Sequence, residues 1–224
     1  MEIKVMEQVM KSNEETAADI RAQYDAAKTL ALNLLGSPGA GKTTLLERTL
    51  EKLKDKLKVA VIEGDLYTSK DADRIEKSGA QVVQINTAGG CHLDSKMIAK
   101  VIPQFDLDKV DLMIVENVGN LVCPAAYDLG EHDKVVVLSI TEGGDKPLKY
   151  PRIFLESTAT VLNKTDLLPF CDVDMELMKK DILSINPKII IFETDCRSGQ
   201  GMESWVDWLV ERVSTHGKNS TITG

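Results

Sequence analysis

The sequence predicts a single α/β domain built on a largely parallel, roughly seven-stranded sheet flanked by helices, with an extra helix at the N-terminus. Three observations predict it. Short apolar runs alternate with helix-length segments from Leu30 almost to the end of the chain. Most of those runs are rich in Val and Ile and apolar on both faces, as strands buried from both sides are. A glycine-rich turn stands between the first run and the first helix-like segment, which is where a strand–turn–helix unit places one.

Residues 1–28 precede the first strand and read as a separate helix, because Met6, Met10, Asn13, Ala17, Ile20, Tyr24 and Ala27 recur at steps of four and three. It either covers the domain's own sheet or docks a partner or second copy. Strands are expected over residues 30–35, 59–63, 81–86, 112–116, 134–141, 159–163 and 189–192. Helices are expected over residues 44–56, 69–79, 94–104, 174–186 and 202–213. Ligands of such a sheet gather at the carboxyl ends of the strands. A polar tail from 215 to 224 is expected to be disordered.

Composition narrows the function. Hydrophobic residues make up 43% of the 224, ample for a core, and the net charge of −8 argues against nucleic-acid binding and against adhesion to anionic membranes. The N-terminus lacks a signal-peptide pattern, and no apolar stretch approaches transmembrane length. A nucleotide site in such a chain places it in the cytoplasm, where the cysteines Cys91, Cys123, Cys171 and Cys196 are expected as metal ligands or core residues rather than disulfides.

The turn reads Gly36-Ser37-Pro38-Gly39-Ala40-Gly41-Lys42-Thr43 and is followed by Thr44. This is the phosphate-binding loop of a P-loop NTPase in its proper context. Its glycines allow backbone N–H groups to turn inward around phosphate oxygens, and the helix that follows adds its positive end. Lys42 supplies charge for the β- and γ-phosphates, and the Thr43 hydroxyl is a ligand for Mg²⁺.

A second motif selects the base. Asn163-Lys164-Thr165-Asp166 lies at a strand end, and the Asp166 carboxylate can accept two hydrogen bonds from guanine that adenine cannot supply. Asn163 can reach the base N7, and the Lys164 stem can lie over the ring. The loop from Thr194 to Gly199 is similar to the last guanine-binding loop of GTPases, where the backbone N–H of Cys196 would meet the base oxygen. Asp195 departs from the usual serine there. The expected nucleotide is GTP, and residues 29–214 are expected to form a P-loop GTPase domain.

Asp65 and Glu116 follow apolar runs on the same side and are expected in the Mg²⁺ shell. Glu116-Asn117-Val118-Gly119 is a variant of the D-x-x-G switch, in which the Gly119 N–H senses the γ-phosphate. Asn120 follows where many GTPases carry a water-orienting glutamine, and no arginine is evident in cis, so slow intrinsic hydrolysis is expected.

Cys91-His92 and Cys123-Pro124 each follow a strand on the nucleotide side. Two thiolates and an imidazole suit Zn²⁺ or Ni²⁺ and leave a position open. The alternative from spacing alone is two buried cysteines and a capping histidine, since no C-x-x-C pair is present. Cys171 and Cys196 read as structural, His132 as a surface turn, and His216 as part of the tail.

These motifs, with Gly64-Asp65, Cys91-His92-Leu93-Asp94, the run from Glu116 through Pro124 and Thr141-Glu142-Gly143, resemble the HypB family over about residues 30–213. HypB proteins are GTPases that deliver nickel during maturation of nickel–iron hydrogenase. The resemblance implies a SIMIBI-class fold and a homodimer favoured by GTP. It also implies a Ni²⁺ or Zn²⁺ site at the dimer interface from Cys91, His92 and Cys123. The implied partners are a HypA-like metallochaperone and the hydrogenase large subunit. The related urease GTPases of the UreG family carry Cys-Pro-His, whereas here Ala125 follows Cys123-Pro124. Residues 1–28 lack the cysteine or histidine with which many HypB proteins store nickel, so affinity is expected at the interface site alone. A urease-type nickel GTPase, a P-loop kinase of a small metabolite and a non-catalytic zinc-stabilised interaction module are the competing readings.

Overall fold

The computed structural model describes residues 2–64 and 79–219, the side chains of 2–6 and 218–219 excepted. Its strands are β1 (Leu30–Gly36), β2 (Val59–Glu63), β3 (Gln81–Gln84), β4 (Leu112–Glu116), β5 (Asp133–Ser139), β6 (Ala159–Asn163) and β7 (Ile190–Thr194). All seven pair in parallel, in the order β3-β2-β4-β1-β5-β6-β7. The chain starts in the middle of the sheet and winds outward both ways, so its ligand crevice lies at the strands' carboxyl ends. Register makes that edge explicit. Gly36 lies beside Val137, Glu116 beside Leu34 and Glu63, and Asn163 beside Ser139 and Thr194.

The period-two alternation of β1 feeds the cores on both faces of the sheet. Leu30, Leu32 and Leu34 join α2 (Lys42–Leu53) and the C-terminal helix α7 (Met202–Asn219), where Trp205 and Trp208 stack at 5.4 Å and Phe192 meets Trp205 edge-on at 5.5 Å. Buried Trp205 donates its indole N–H to Thr49 Oγ1 at 2.8 Å. On the opposite face, α1 (Glu2–Ala27) and α3 (Ser95–Val101) pack over Ala31, Met113 and Val115. Farther along that face, α5 (Pro151–Leu155) and α6 (Met175–Ile185) cover Leu35, Val136 and Leu162.

The stripe on α1 is a packing face. Asn13, Ala17, Ile20 and Tyr24 are buried, Arg21 pairs with Asp128 at 2.6 Å, and Asn13 donates to Asp128 O while accepting from Ser95 N. The helix therefore covers the domain's own sheet.

Four elements depart from expectation. The strand expected over 134–141 stops at Ser139, because the Glu142 carboxylate accepts the Ser139 N–H at 2.9 Å and folds Ile140–Glu142 into a 3-10 turn. Two short helices, α4 (Lys146–Lys149) and α5, occupy a stretch with no expected element; their prolines Pro147 and Pro151 sit in first turns, where a missing N–H costs nothing. The last helix runs to Asn219, so 215–219 are helical instead of disordered, with His216 Nε2 at 3.6 Å from Asp25 Oδ1 of α1. The expected helix over 69–79, apart from Gly79, lies outside the described residues, as do 220–224.

Candidate functional site

The phosphate loop leaves β1 at Gly36 and enters α2 at Lys42, and its outer glycines are demanded by close approach. A Cβ on Gly36 (φ 155°) would lie 2.3 Å from Val137 O, and one on Gly41 (φ 97°) would lie 2.3 Å from Asn163 Nδ2. Gly39 is left-handed at φ 78°, Ala40 is fully buried, and Thr44 is exposed in the first turn of α2. The Ser37 hydroxyl donates to Glu142, tying the loop to the end of β5. Lys42 is buried, with Nζ 3.5 Å from Gly36 O and 3.4 Å from Ser37 O.

The next residue leads toward the acidic strand end. Thr43 Oγ1 donates to Glu116 Oε1 at 2.9 Å, and Glu116 is buried at the end of β4. A hydroxyl and a carboxylate brought together beside a phosphate loop form a hard-oxygen donor pair that fits Mg²⁺. Asp65 lies outside the described residues; its neighbour Gly64 donates to Glu116 O at 2.9 Å.

At the base side, Asn163 Nδ2 donates to Ala40 O at 3.0 Å, and its Oδ1 accepts from Thr194 Oγ1 at 3.2 Å and Cys196 N at 3.4 Å. Expected to reach a base nitrogen, this side chain braces the phosphate loop against β7. Lys164 (φ 63°) returns across the loop and donates to Gly39 O at 2.7 Å. Asp166 is exposed in the first turn of the 3-10 segment Thr165–Phe170. Asp195 accepts the N–H groups of Arg197 and Ser198 at 2.8 and 3.1 Å, so its carboxylate shapes the loop by accepting two backbone bonds. Cys196 is buried, and burial pushes its thiol up to about 11.

The segment after Glu116 lies on the phosphate loop. Asn120 donates its N–H to Gly36 O at 2.9 Å, and a Cβ on Gly119 would stand 3.0 Å from Pro38. Asn117 is fully buried; its Oδ1 accepts from Leu93 N at 3.2 Å, and its Nδ2 donates to Asn33 Oδ1 at 3.2 Å.

Cys91, His92 and Cys123 converge, with one ligand atom from each lying within 4.8 Å of the others and Cys91 Sγ at 3.4 Å from His92 Nδ1. Cys91 is exposed, whereas His92 and Cys123 are half-buried. The His92 ring stacks on Tyr127 at 3.8 Å. The hydrogen bond with Cys123 holds the Cys91 thiol above its ordinary value, and burial holds His92 below the usual histidine range, in the neutral form that ligates metal. Two sulfurs and a nitrogen at this spacing fit a tetrahedral Zn²⁺ or Ni²⁺ with an open position. Local geometry presents them. Ala88 and Gly89 are left-handed in the turn before Cys91, Asp94 caps α3 through Met97 N at 2.8 Å, and Cys123 precedes a 3-10 turn begun by Pro124.

A second convergence was not legible in sequence. His132, Asp25 and His216 also bring ligand atoms within 4.8 Å. His132 Nδ1 accepts the Ala31 N–H at 2.9 Å, which leaves the proton of a neutral ring on Nε2, facing Asp25 Oδ1 at 3.1 Å. A histidine ligating through Nε2 would need its proton on Nδ1, where a donor already points. This cluster ties α1 to α7 instead of holding metal.

The CobW/HypB/UreG nucleotide-binding domain model matches residues 30–193. The chain is 50% identical over 201 residues to hydrogenase maturation factor HypB of Escherichia coli K12, covering 90% of this chain and 69% of that one. It belongs to the HypB family. The HypB crystal structure from Archaeoglobus fulgidus superposes with a TM-score of 0.87 at 38% identity, covering 91% of this chain and 99% of the other. HypB of Helicobacter pylori, solved in complex with nickel, superposes with a TM-score of 0.85 at 36% identity, over 91% and 96% of the two chains. The family's parallel P-loop architecture therefore extends through the whole sheet described here.

Proposed function

We propose that this chain is a GTP-hydrolysing metallochaperone that binds nickel and hands it on during nickel–iron hydrogenase maturation. The observation that carries the reading is a shared segment. The stretch from Glu116 to Cys123 lies on the phosphate loop through Asn120 N–H and Gly36 O, and ends in a thiol that meets Cys91 and His92. A change at the γ-phosphate thus acts on a metal ligand within the same few residues.

In this reading the backbone from Gly36 to Thr44 wraps the phosphates, and Lys42 exchanges the Gly36 and Ser37 carbonyls for phosphate oxygens. Asp166 and the Cys196 N–H recognise guanine, while Asn163 and Lys164 hold the loop that bears it. Thr43, Asp65 and Glu116 would hold Mg²⁺, which would supply charge neutralisation for the phosphates. Gly119 N–H engages the γ-phosphate and is released when it leaves. GTP orders the switch segment, two chains meet over it, and their Cys91, His92 and Cys123 sets share the metal. Hydrolysis then loosens the site, and the ion passes to a HypA-like chaperone or the hydrogenase large subunit. Cytoplasmic residence follows from that role.

Cys123→Ala tests the metal half of the reading. Nickel affinity measured by titration is expected to fall at least tenfold while GTP binding persists; unchanged nickel affinity contradicts the assignment. Lys42→Ala is expected to do the reverse, abolishing GTP turnover with nickel binding retained.

A further inference from the structure

We propose that Asn120 is a positioning residue that couples the phosphate loop to the metal site through Cys91. The inference rests on the metal–nucleotide coupling proposed above and assigns it a residue. Asn120 makes three contacts. Its N–H donates to Gly36 O at 2.9 Å, the carbonyl that also faces Lys42 Nζ. Its side-chain oxygen accepts the Val122 N–H at 2.8 Å, turning the chain toward Cys123. Its Nδ2 donates to Cys91 O at 3.4 Å. One carboxamide therefore joins the two segments that carry the thiols, while its own backbone rests on the phosphate loop.

The other end of the Cys91-His92 dipeptide is fixed. Leu93 N–H donates to the buried Asn117, which is itself bonded to Asn33 of β1. The Leu93 side chain is fully buried and packs so closely on Gly64 that a Cβ there would stand 2.4 Å from Leu93 Cδ1. Cys91 and His92 are thus suspended between an anchored residue and one that moves with the switch. When residues 119 and 120 shift on the phosphate loop, the chain moves Cys123 and the carboxamide moves Cys91. The spacing of the two thiols then depends on nucleotide state. A link that carries only chain connectivity to Cys123 would leave Cys91 behind.

Two substitutions isolate the contact. Asn120→Asp keeps an acceptor for Val122 N–H and removes the donor to Cys91 O, whereas Asn120→Ala removes both without adding charge. The full-length protein is titrated with Ni²⁺, read by thiolate-to-nickel absorption, once with GDP and Mg²⁺ and once with a non-hydrolysable GTP analogue and Mg²⁺. In the wild type the two nickel affinities are expected to differ by about 5- to 150-fold, the usual range for coupled sites, and in both variants by less than about twofold. A merely structural role would change nickel affinity alike in both nucleotide states and preserve the ratio. A wild-type ratio retained in both variants overturns the assignment of Asn120. A wild-type ratio near one overturns the coupled function itself, and this inference with it.

Discussion

At the scale of single residues, the chemistry-bearing positions divide by how local their reasons are. Gly36 and Gly41 were legible because glycine in a phosphate loop is a local requirement, and their close approaches to Val137 and Asn163 supply its cause. The bracing role of Asn163 was not legible, since it depends on Ala40 and Thr194 arriving from distant elements. Asn163→Ala removes three side-chain hydrogen bonds from a buried position, so a loss of about 1–3 kcal/mol in urea unfolding is expected alongside weakened GTP binding. Unchanged stability would limit Asn163 to base recognition. The Cys91–His92–Cys123 set was legible from residue type, from its place after two strands and from the HypB resemblance, whereas its geometry was not, because the two segments are separated in sequence and meet only when β3 and β4 end on one edge. Cys91→Ala is expected to lose nickel and keep GTP affinity within about twofold, as measured by calorimetric titration in the absence of metal.

At the scale of elements, the strands were legible because their apolar runs are bounded by polar turns, and the sheet needs little else. Helices α4 and α5 were hidden by prolines that look like breakers until their first-turn positions are known. Helix α1 presented its buried stripe plainly, yet only the contacts of Asn13 and Arg21 reveal its own domain as the partner. Ile20→Ala is expected to cost about 2–5 kcal/mol of unfolding free energy in urea, and an unchanged midpoint would contradict the packing of α1 on the sheet. The clasp between α1 and α7 gives a pH dependence. Burial first, and the neighbouring His216 second, hold His132 below the ordinary imidazole value, despite Asp25. The native ring is therefore neutral, and the unfolded chain takes up the proton first as pH falls. The stability from this group is fully present above the free imidazole value of about 6.5 and declines as pH drops toward the lowered native value. Urea midpoints compared at about pH 7.5 and about pH 5.5 should fall for the wild type and fall less for His132→Gln. Equal falls would remove His132 as the cause.

At the scale of the whole molecule, a parallel sheet brings the motif loops to one edge, and that placement puts the two candidate sites beside one another. Strand β4 is central to it. Its end supplies Glu116 beside Thr43, and the chain that follows touches the phosphate loop at Asn120 before reaching Cys123. The edge also has an open side, where half-buried Cys123 and exposed Cys91 face outward with a coordination position to spare. In the function proposed above, a second copy of the chain completes that site when GTP holds the switch segment in place. The most direct measurement is sizing by light scattering in the presence of Ni²⁺, with GDP and with a non-hydrolysable GTP analogue, and metal content determined on each peak. GTP-gated metal sharing requires a nickel-bearing dimer with the analogue and a metal-poor monomer with GDP. The same oligomer with the same metal content in both nucleotides would contradict it.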